Sequence, residues 1–181
     1  MAQQRVIDRA AREALPRLGD FCLVHVATPR TLRCVSACHC KTHFSRDMRT
    51  LVSARPIRRD DLVSTVAAVV RSRKPALRTG IYHDDAAVAR STVARLHRKL
   101  APTSALVVPL VSDGVVLGAL SLCYSQSGRS HARHQVPIAE RLAARLAAVL
   151  IAAGHAASRL HAAARHAREG RSLRRRLAAR N

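Results

Sequence analysis

The segment 104–124, which reads SALVVPLVSDGVVLGALSLCY, constrains the fold more than any other part of the chain. Two apolar runs rich in Val and Leu flank the pair Asp113-Gly114. An Asp-Gly pair between such runs is a strong signal for a β-hairpin, because the tight turn requires positive φ angles. Both arms are almost continuously apolar, which is typical of strands covered on both faces. The segment therefore predicts two paired strands inside a sheet that helices cover on both sides.

Helix and strand patterns follow one another along the rest of the chain. A turn at Thr28-Pro29-Arg30 joins two alternating segments into an antiparallel pair. The predicted strands outside the hairpin span 20–27, 31–40 and 76–79. The predicted helices span 2–15, 45–54, 66–72, 85–100 and a long stretch that begins at Val136. The sequence thus predicts an antiparallel sheet accompanied by helices.

The charge balance is strongly basic, with 32 Lys and Arg against 11 Asp and Glu, a net charge of +21. Such a chain attracts polyanions, so nucleic acid is a candidate partner through the Arg-rich surface and the tail 171–180. Two observations weigh against it. The basic residues are spread along the chain, and two Phe and two Tyr offer little for bases to stack on. Nucleic-acid binding therefore stands as an alternative function.

The five cysteines are an odd number, and the N-terminal segment lacks the apolar core of an export signal. No apolar run reaches the roughly 18 residues of a membrane-spanning helix. We therefore expect a cytoplasmic protein with reduced thiols.

Apolar residues in the last helix follow alternating steps of four and three, which is a heptad seam. The seam consists of Leu142, Leu146, Val149, Ala153, Ala156, Leu160, Ala163 and Ala167. It predicts a dimer helix with Leu142, Leu146, Val149 and Leu160 as its contacts. Packing of the same seam on the body of the domain is the alternative.

Three stretches resemble the GAF domain family. The segment 20–26, DFCLVHV, is similar to the family's first strand. The segment 62–77 is similar to the helix and short strand beside the family's ligand pocket. The hairpin 106–122 resembles the family's last hairpin, in which a proline at the position of Pro109 is common. The resemblance covers roughly residues 15–160.

The resemblance implies an α+β fold with a GAF-like central antiparallel sheet, helices on both faces and a long C-terminal helix. It divides the chain into an N-terminal amphipathic helix (1–19), a sensory domain (20–160) and a basic helical tail (161–181). The implied function is a small-molecule sensory or regulatory domain in bacterial signal transduction. It would form a homodimer through its terminal helices and pass a ligand-induced change along the C-terminal helix. Its output would be a kinase or other signalling protein on a separate chain, and a ligand-free dimerisation scaffold is a further alternative.

The resemblance also implies a pocket between the sheet and the helices 66–72 and 85–100. The candidate ligand-binding residues are Cys38, Ser64, Thr65, Arg78, His83 and Val108. The ligand itself is unknown, because the residue set of the cyclic-nucleotide binders is missing. The pair Cys38-His39 lies on the second strand, whereas the bilin-binding members carry Cys-His near the pocket helix. His83 could contact haem or an anion, but Asp84 and Asp85 beside it are ordinary helix caps.

A group of Cys and His residues near the second strand suggests a metal site. In a regular strand Cys34 and Cys38 lie about 13 Å apart on one face, too far to share a zinc ion. Only if the segment were helical would His39 and His43 lie on one face, and the alternative metal ligands would then be His39, Cys40 and His43. The favoured prediction is therefore no metal, with the thiols packed as small apolar groups. No nucleophile–base set is evident, so we expect no catalytic activity.

Overall fold

A computed structural model describes residues 2–80 and 92–154. The helices are α1 (Ala2–Arg12), α2 (Ser45–Val52), α3 (Thr65–Ser72), α4 (Thr92–Leu100) and α5 (136–154). The strands are β1 (Phe21–Ala27), β2 (Thr31–His39), β3 (Ile57–Arg58), β4 (Ala76–Thr79), β5 (Ser104–Ser112) and β6 (Val115–Tyr124). Short 3₁₀ turns at Thr42–Phe44 and Arg133–Gln135 precede α2 and α5. The predicted elements are confirmed within two or three residues wherever the structure describes them.

All six strands form one antiparallel sheet in the order β3-β2-β1-β6-β5-β4. The predicted hairpin is its β5–β6 pair, which runs from Ser104 opposite Tyr124 to Ser112 opposite Val115. Its turn holds Asp113 at φ 49° and Gly114 at φ 73°, the positive angles that an Asp-Gly turn supplies. The α+β prediction is confirmed.

A bulge interrupts the pairing of β1 with β2. Val24 pairs with Ser36 whereas His25 pairs with Cys34, so β2 carries Val35 as an extra residue. The bulge breaks the side-chain alternation of β2. The expectation that Cys34 and Cys38 share a face of a regular strand is therefore wrong, because it assumed that the alternation is continuous.

The terminal helices α1 and α5 cover one face of the sheet, which we call the terminal-helix face. Ile7 and Ala11 from α1 and Leu146 from α5 are among the buried side chains there. The sheet contributes Cys22, Val24, Cys38, Leu106, Val108, Leu110, Leu120 and Leu122. The opposite face, here the α3 face, packs against α2, α3 and α4. The predicted cover of helices on both faces is thus present.

The long C-terminal helix is described as far as residue 154. Leu146 is fully buried against the sheet, while Leu142 and Val149 are half-buried beside it. Leu146 of the heptad seam therefore packs fully on the domain itself, while Leu142 and Val149 pack there only in part. Ala156, Leu160, Ala163 and Ala167, together with the basic tail, lie outside the described residues.

Within residues 2–80 and 92–154, no helix is long and apolar enough to cross a membrane.

Candidate functional site

Two separate apolar clusters fill the α3 face. The first lies under α2 and α4 and consists of Phe21, Phe44, Met48, Leu51, Leu96, Leu100 and Cys123. The second lies under α3 and consists of Leu32, Ala67, Val69, Val70, Val107 and Ala119. The strands β1 and β6 run from one cluster to the other, so the residues between the clusters lie in the middle of this face.

Two polar side chains occupy the boundary between these clusters. Strand β6 places Ser121 between Ala119 of the second cluster and Cys123 of the first. Strand β1 places His25 directly opposite Ala119. His25 and Ser121 are buried, with exposed fractions of 6% and 4%. An otherwise apolar face thus carries a small polar strip at its centre.

Neither polar group is satisfied within the described part of the chain. Nδ1 of His25 and Oγ of Ser121 are buried there without a hydrogen-bond partner. Leaving such a group unpaired costs about 1–3 kcal/mol, so an unpaired polar atom calls for an explanation. Burial lowers the pKa of His25 to about 4, so its ring is neutral at pH 7. The strip can therefore offer uncharged hydrogen-bonding groups to a polar atom of a ligand.

His39 adds a third unpaired atom near the first cluster. Its ring stacks on Phe21 at 5.9 Å between centroids and packs on Phe44 at 4.3 Å. The backbone N–H of Lys41 donates to its Nδ1 at 2.9 Å. Burial lowers the pKa of His39, which favours the neutral ring. Because Nδ1 accepts a hydrogen bond from Lys41, the proton of the neutral ring lies on Nε2. That Nε2 is buried and has no partner among the described residues, which leaves it a free donor.

Capping residues fix both ends of α3 above this face. Ser64 accepts a hydrogen bond from the Ala67 N–H at 3.3 Å, and this bond satisfies one free amide of the first turn. Arg73 adopts the left-handed conformation at φ 61° and ends the helix. The sequence pattern predicted this helix from residue 66, one residue after its observed start at Thr65.

The predicted ligand-binding residues that are described lie on different parts of the structure. Ser64 and Thr65 are half-buried at the start of α3, and Arg78 is exposed on β4. Cys38 and Val108 lie in the core of the terminal-helix face, on the other side of the sheet from α3. They therefore do not line the face that α3 covers. His83 lies outside the described residues. Among the five predicted residues that are described, Cys38 and Val108 lie on the opposite face of the sheet from Ser64 and Thr65.

His25 and Ser121 are the members of this strip that the sequence analysis missed. A signal was present, because each is a polar residue at a position where an almost wholly apolar strand faces the core. In the segments FCLVHVA and VVLGALSLCY, His25 and Ser121 share the inward alternation of their apolar neighbours.

The alternative metal group is not assembled. In the part of the chain that the structure describes, no three His, Cys, Asp or Glu side chains are grouped to hold a metal ion. Cys40 is exposed, with Sγ 3.7 Å from Nδ1 of His39. That nitrogen already accepts from Lys41, and His43 packs its ring on Phe44 at 4.2 Å between centroids.

A network of hydrogen bonds connects the end of β6 to the start of α5. Asp20, buried at the start of β1, accepts from the N–H groups of Ser125 and Ser127 at 2.8 and 3.0 Å. Burial raises the pKa of this carboxyl, but the hydrogen bonds outweigh burial and lower it below its usual value. The loop 125–135 is therefore held firmly between the sheet and α5.

His131 makes the second attachment of the same loop. Its ring lies 2.8 Å from Ser104 Oγ through Nδ1 and 2.9 Å from the Leu18 carbonyl through Nε2. Tyr124, the last residue of β6, donates from its hydroxyl to the Arg17 carbonyl at 2.5 Å. Movement of β6 would thus displace both the segment after α1 and the segment before α5, because Tyr124 bonds to Arg17 and to Gln135.

Comparisons with known proteins agree with this architecture. The sequence model of the GAF domain family matches residues 3–150. The GAF-B domain of DevS from Mycobacterium smegmatis is 21% identical, covers 88% of this chain and 98% of its own, and superposes with a TM-score of 0.58. The GAF domain of a phosphoenolpyruvate-protein phosphotransferase from Coxiella burnetii is 15% identical, covers 86% of each chain, and gives a TM-score of 0.63.

A third solved structure is similar over the same region. It is a domain of a putative two-component sensor histidine kinase protein from Sinorhizobium meliloti, 18% identical, covering 86% of this chain and 93% of its own, with a TM-score of 0.52. At these identities the likeness concerns the fold. No protein of curated function matches the sequence.

Proposed function

The chain belongs to the GAF domain family, whose members are typically sensory and regulatory, and on that premise we propose that it senses a small molecule bound on its α3 face. One observation carries this proposal. Buried polar atoms of His25 and Ser121, which have no partner among residues 2–80 and 92–154, lie between two apolar clusters that helices cover. A ligand would supply the missing hydrogen-bond partners, whereas in a solid core these polar atoms would stay unpaired and destabilise the fold.

The chemistry of the strip indicates the kind of ligand. His25 is neutral, Ser121 is uncharged, and the surrounding side chains are apolar. A strongly charged ligand would lose its hydration there without gaining an ion pair. We therefore propose a largely apolar, uncharged molecule with a polar edge that both donates and accepts hydrogen bonds.

The response would travel along β6. Ser121 lies three residues before Tyr124, which is followed by the loop that Asp20 and His131 fasten to the sheet just before α5 begins. A ligand bonded to Ser121 would favour one position of this strand end, and with it one packing of α5 on the sheet. Coupling of this kind requires that the ligand prefer one of two arrangements.

We further propose that the terminal helices form a homodimer. A groove of about 610 Å³ runs between the segment after α1 and the outer side of α5. Ile138 and Leu142 contribute apolar surface to it, and Glu13 pairs with Arg145 at 3.0 Å beside them. Leu146 is fully buried in the domain core. Leu142 and Val149 are partly exposed, and they are the described seam residues that would contact a second copy. A kinase or other output protein on a separate chain would then read the state of α5.

Thermal-shift measurements against nucleotides, haem and neutral metabolites test the ligand proposal. We expect a ligand to raise the Tm of the wild-type protein and to leave that of a His25→Leu, Ser121→Ala variant unchanged. Val24→Ala is the matched control, because Val24 is the β1 neighbour of His25 and faces the terminal helices. A shift that survives in the double variant would contradict the assignment. Binding of nucleic acid that is lost on adding salt or on removing residues 171–181 would favour the basic-tail alternative instead.

A further inference from the structure

Two cysteines lie opposite one another on neighbouring strands beneath α1. Cys22 of β1 pairs with Cys38 of β2, and both side chains belong to the core of the terminal-helix face. Directly opposed residues of antiparallel strands have Cβ atoms about 4.5–5.5 Å apart. A disulfide requires about 3.5–4.5 Å, so a small approach of the strands would permit the bond. The bond would be somewhat strained and therefore easily reduced.

Both thiols are attached to α1. The Cys22 thiol donates to the Ala11 carbonyl at 3.4 Å, and the Cys38 thiol donates to the Asp8 carbonyl at 3.6 Å. Ser36 on the same strand as Cys38 donates to the Asp8 carboxylate at 2.5 Å. The reduced thiols therefore help to hold the second half of α1 on the sheet.

The helix that covers the thiols is lightly packed. Among the α1 side chains that the structure describes, Ile7 is the one large apolar group in the core. Ala11, directly over Cys22, is small, and Val6 is half exposed. The helix contributes few large apolar groups of its own to the core, so a small oxidant can reach the thiols through brief local opening.

The two thiols differ in reactivity from the other buried cysteines. The Cys22 thiol, assisted by Ser36 and Arg12 against burial and the Asp8 carboxylate, lowers the pKa of Cys38. The same interaction raises the pKa of Cys22. Burial raises the pKa of Cys34 and of Cys123 to about 12, which leaves both protonated and unreactive. Of the four buried thiols, Cys38 is thus the first to become a nucleophile.

We propose that Cys22 and Cys38 are a reversible oxidation site, at which a peroxide forms a cross-strand disulfide and releases α1 from the sheet. The Cys38 thiolate attacks one oxygen of hydrogen peroxide and the O–O bond breaks, giving a sulfenic acid and hydroxide. The Cys22 sulfur then attacks the Cys38 sulfur, and the S–O bond breaks as water leaves with the Cys22 proton. In total two thiols and one peroxide give one disulfide and two waters, with sulfur oxidised and oxygen reduced.

Oxidation would change the docking of α1 because the disulfide carries no S–H donors. The carbonyls of Asp8 and Ala11 would lose both sulfur partners. Glu13, just after α1, pairs with Arg145 of α5 at 3.0 Å, so release of α1 would alter the contact between the two terminal segments. The site thus lies on the face opposite the proposed ligand strip and acts on the terminal helices independently of it.

Peptide mass spectrometry of the full chain after treatment with hydrogen peroxide tests the site. A Cys40→Ser background removes the exposed thiol and its bonds between molecules. We expect a linked Cys22–Cys38 peptide that disappears on reduction with dithiothreitol. Cys123→Ala is the matched control, since Cys123 is a buried thiol of the α3 face, and its removal should leave the linked peptide unchanged.

Two further readouts follow the sulfenic acid and the release of α1. In Cys22→Ser, dimedone should trap the Cys38 sulfenic acid, because the serine hydroxyl can still donate to the Cys38 sulfur while the resolving thiol is absent. Hydrogen exchange of residues 5–12 should become about tenfold faster on oxidation and return on reduction. Cys22 and Cys38 that stay reduced while other thiols oxidise would overturn the site. A linked peptide with unchanged exchange in α1 would overturn the release of the helix.

Discussion

At the scale of single residues, the buried imidazole of His25 makes the strongest demand on its surroundings. Burial lowers its pKa from 6.5 to about 4, so the folded protein holds the ring neutral where the unfolded chain would protonate it. The ring nitrogen Nδ1 has no partner within the described residues. A side chain kept neutral and unpaired at the boundary of two apolar clusters fits a contact for a ligand better than a structural bond.

The same residue predicts how stability depends on pH. Because the folded pKa is lowered, the contribution of neutral His25 is complete above pH 6.5 and falls as the pH drops towards 4. The full loss is about 3 kcal/mol at most. Between pH 7 and pH 4.5, the free energy of unfolding measured in urea should fall less for His25→Leu than for the wild type. The exposed control His134→Ala should show the same fall as the wild type. Equal losses in wild type and His25→Leu would contradict the shift.

Asp20 supplies a second prediction at this scale. Its carboxylate accepts from the N–H groups of Ser125 and Ser127, so Asp20→Asn weakens two charge-assisted bonds in a buried position. We expect a loss of about 1–3 kcal/mol in the free energy of unfolding, measured in urea at pH 7. Asp60→Asn, which changes an exposed carboxylate, should have no detectable effect. An unchanged midpoint for Asp20→Asn would show that the loop is held in another way.

At the scale of elements, local patterns predicted most strands and helices because alternation and capping depend on neighbouring residues alone. The hairpin turn at Asp113-Gly114 is the clearest case. The bulge at Val35 was not predictable, because it depends on how β2 meets β1 rather than on the sequence of either. For the same reason the sequence placed Cys38 and Val108 at the ligand pocket, although the register of the sheet turns both towards the terminal helices.

Gly118 shows how closely β1 and β6 approach. A Cβ atom at this position would lie 1.9 Å from the His25 carbonyl oxygen. Gly118→Ala should therefore force the strands apart and destabilise the fold by about 1–3 kcal/mol or more in urea unfolding. Gly154→Ala in α5, where the added atom meets nothing within 4 Å, should be neutral or slightly stabilising. Equal stability of the two variants would contradict the close approach.

At the scale of the whole molecule, the sheet has two faces that carry different side chains. The terminal-helix face carries the thiol pair and would form the dimer, while the α3 face carries the polar strip. Composition alone did not separate these roles, because the net charge of +21 is spread along the chain and both faces are largely apolar. The family and fold were predictable from the hairpin and its flanking segments. The positions of the polar strip and of the thiol pair on opposite faces were not predictable, because they depend on the register of the strands.

The dimer proposal has its own test at this scale. Leu146→Ala should lower the free energy of unfolding by about 2–5 kcal/mol, because Leu146 is fully buried in the single chain. Leu142→Arg should keep the fold but weaken self-association, measured by sedimentation velocity. A wild-type monomer, or a Leu142→Arg variant that associates as tightly as the wild type, would contradict a dimer formed on this side of α5.

The central claim is that a small molecule binds between the two apolar clusters and completes the bonds of His25 and Ser121. Native mass spectrometry of freshly purified protein tests it most directly, with the His25→Leu, Ser121→Ala variant and the Val24→Ala control prepared alongside. The account predicts a bound molecule on the wild type and on the control that the double variant lacks. A double variant that retains the same bound molecule would contradict it.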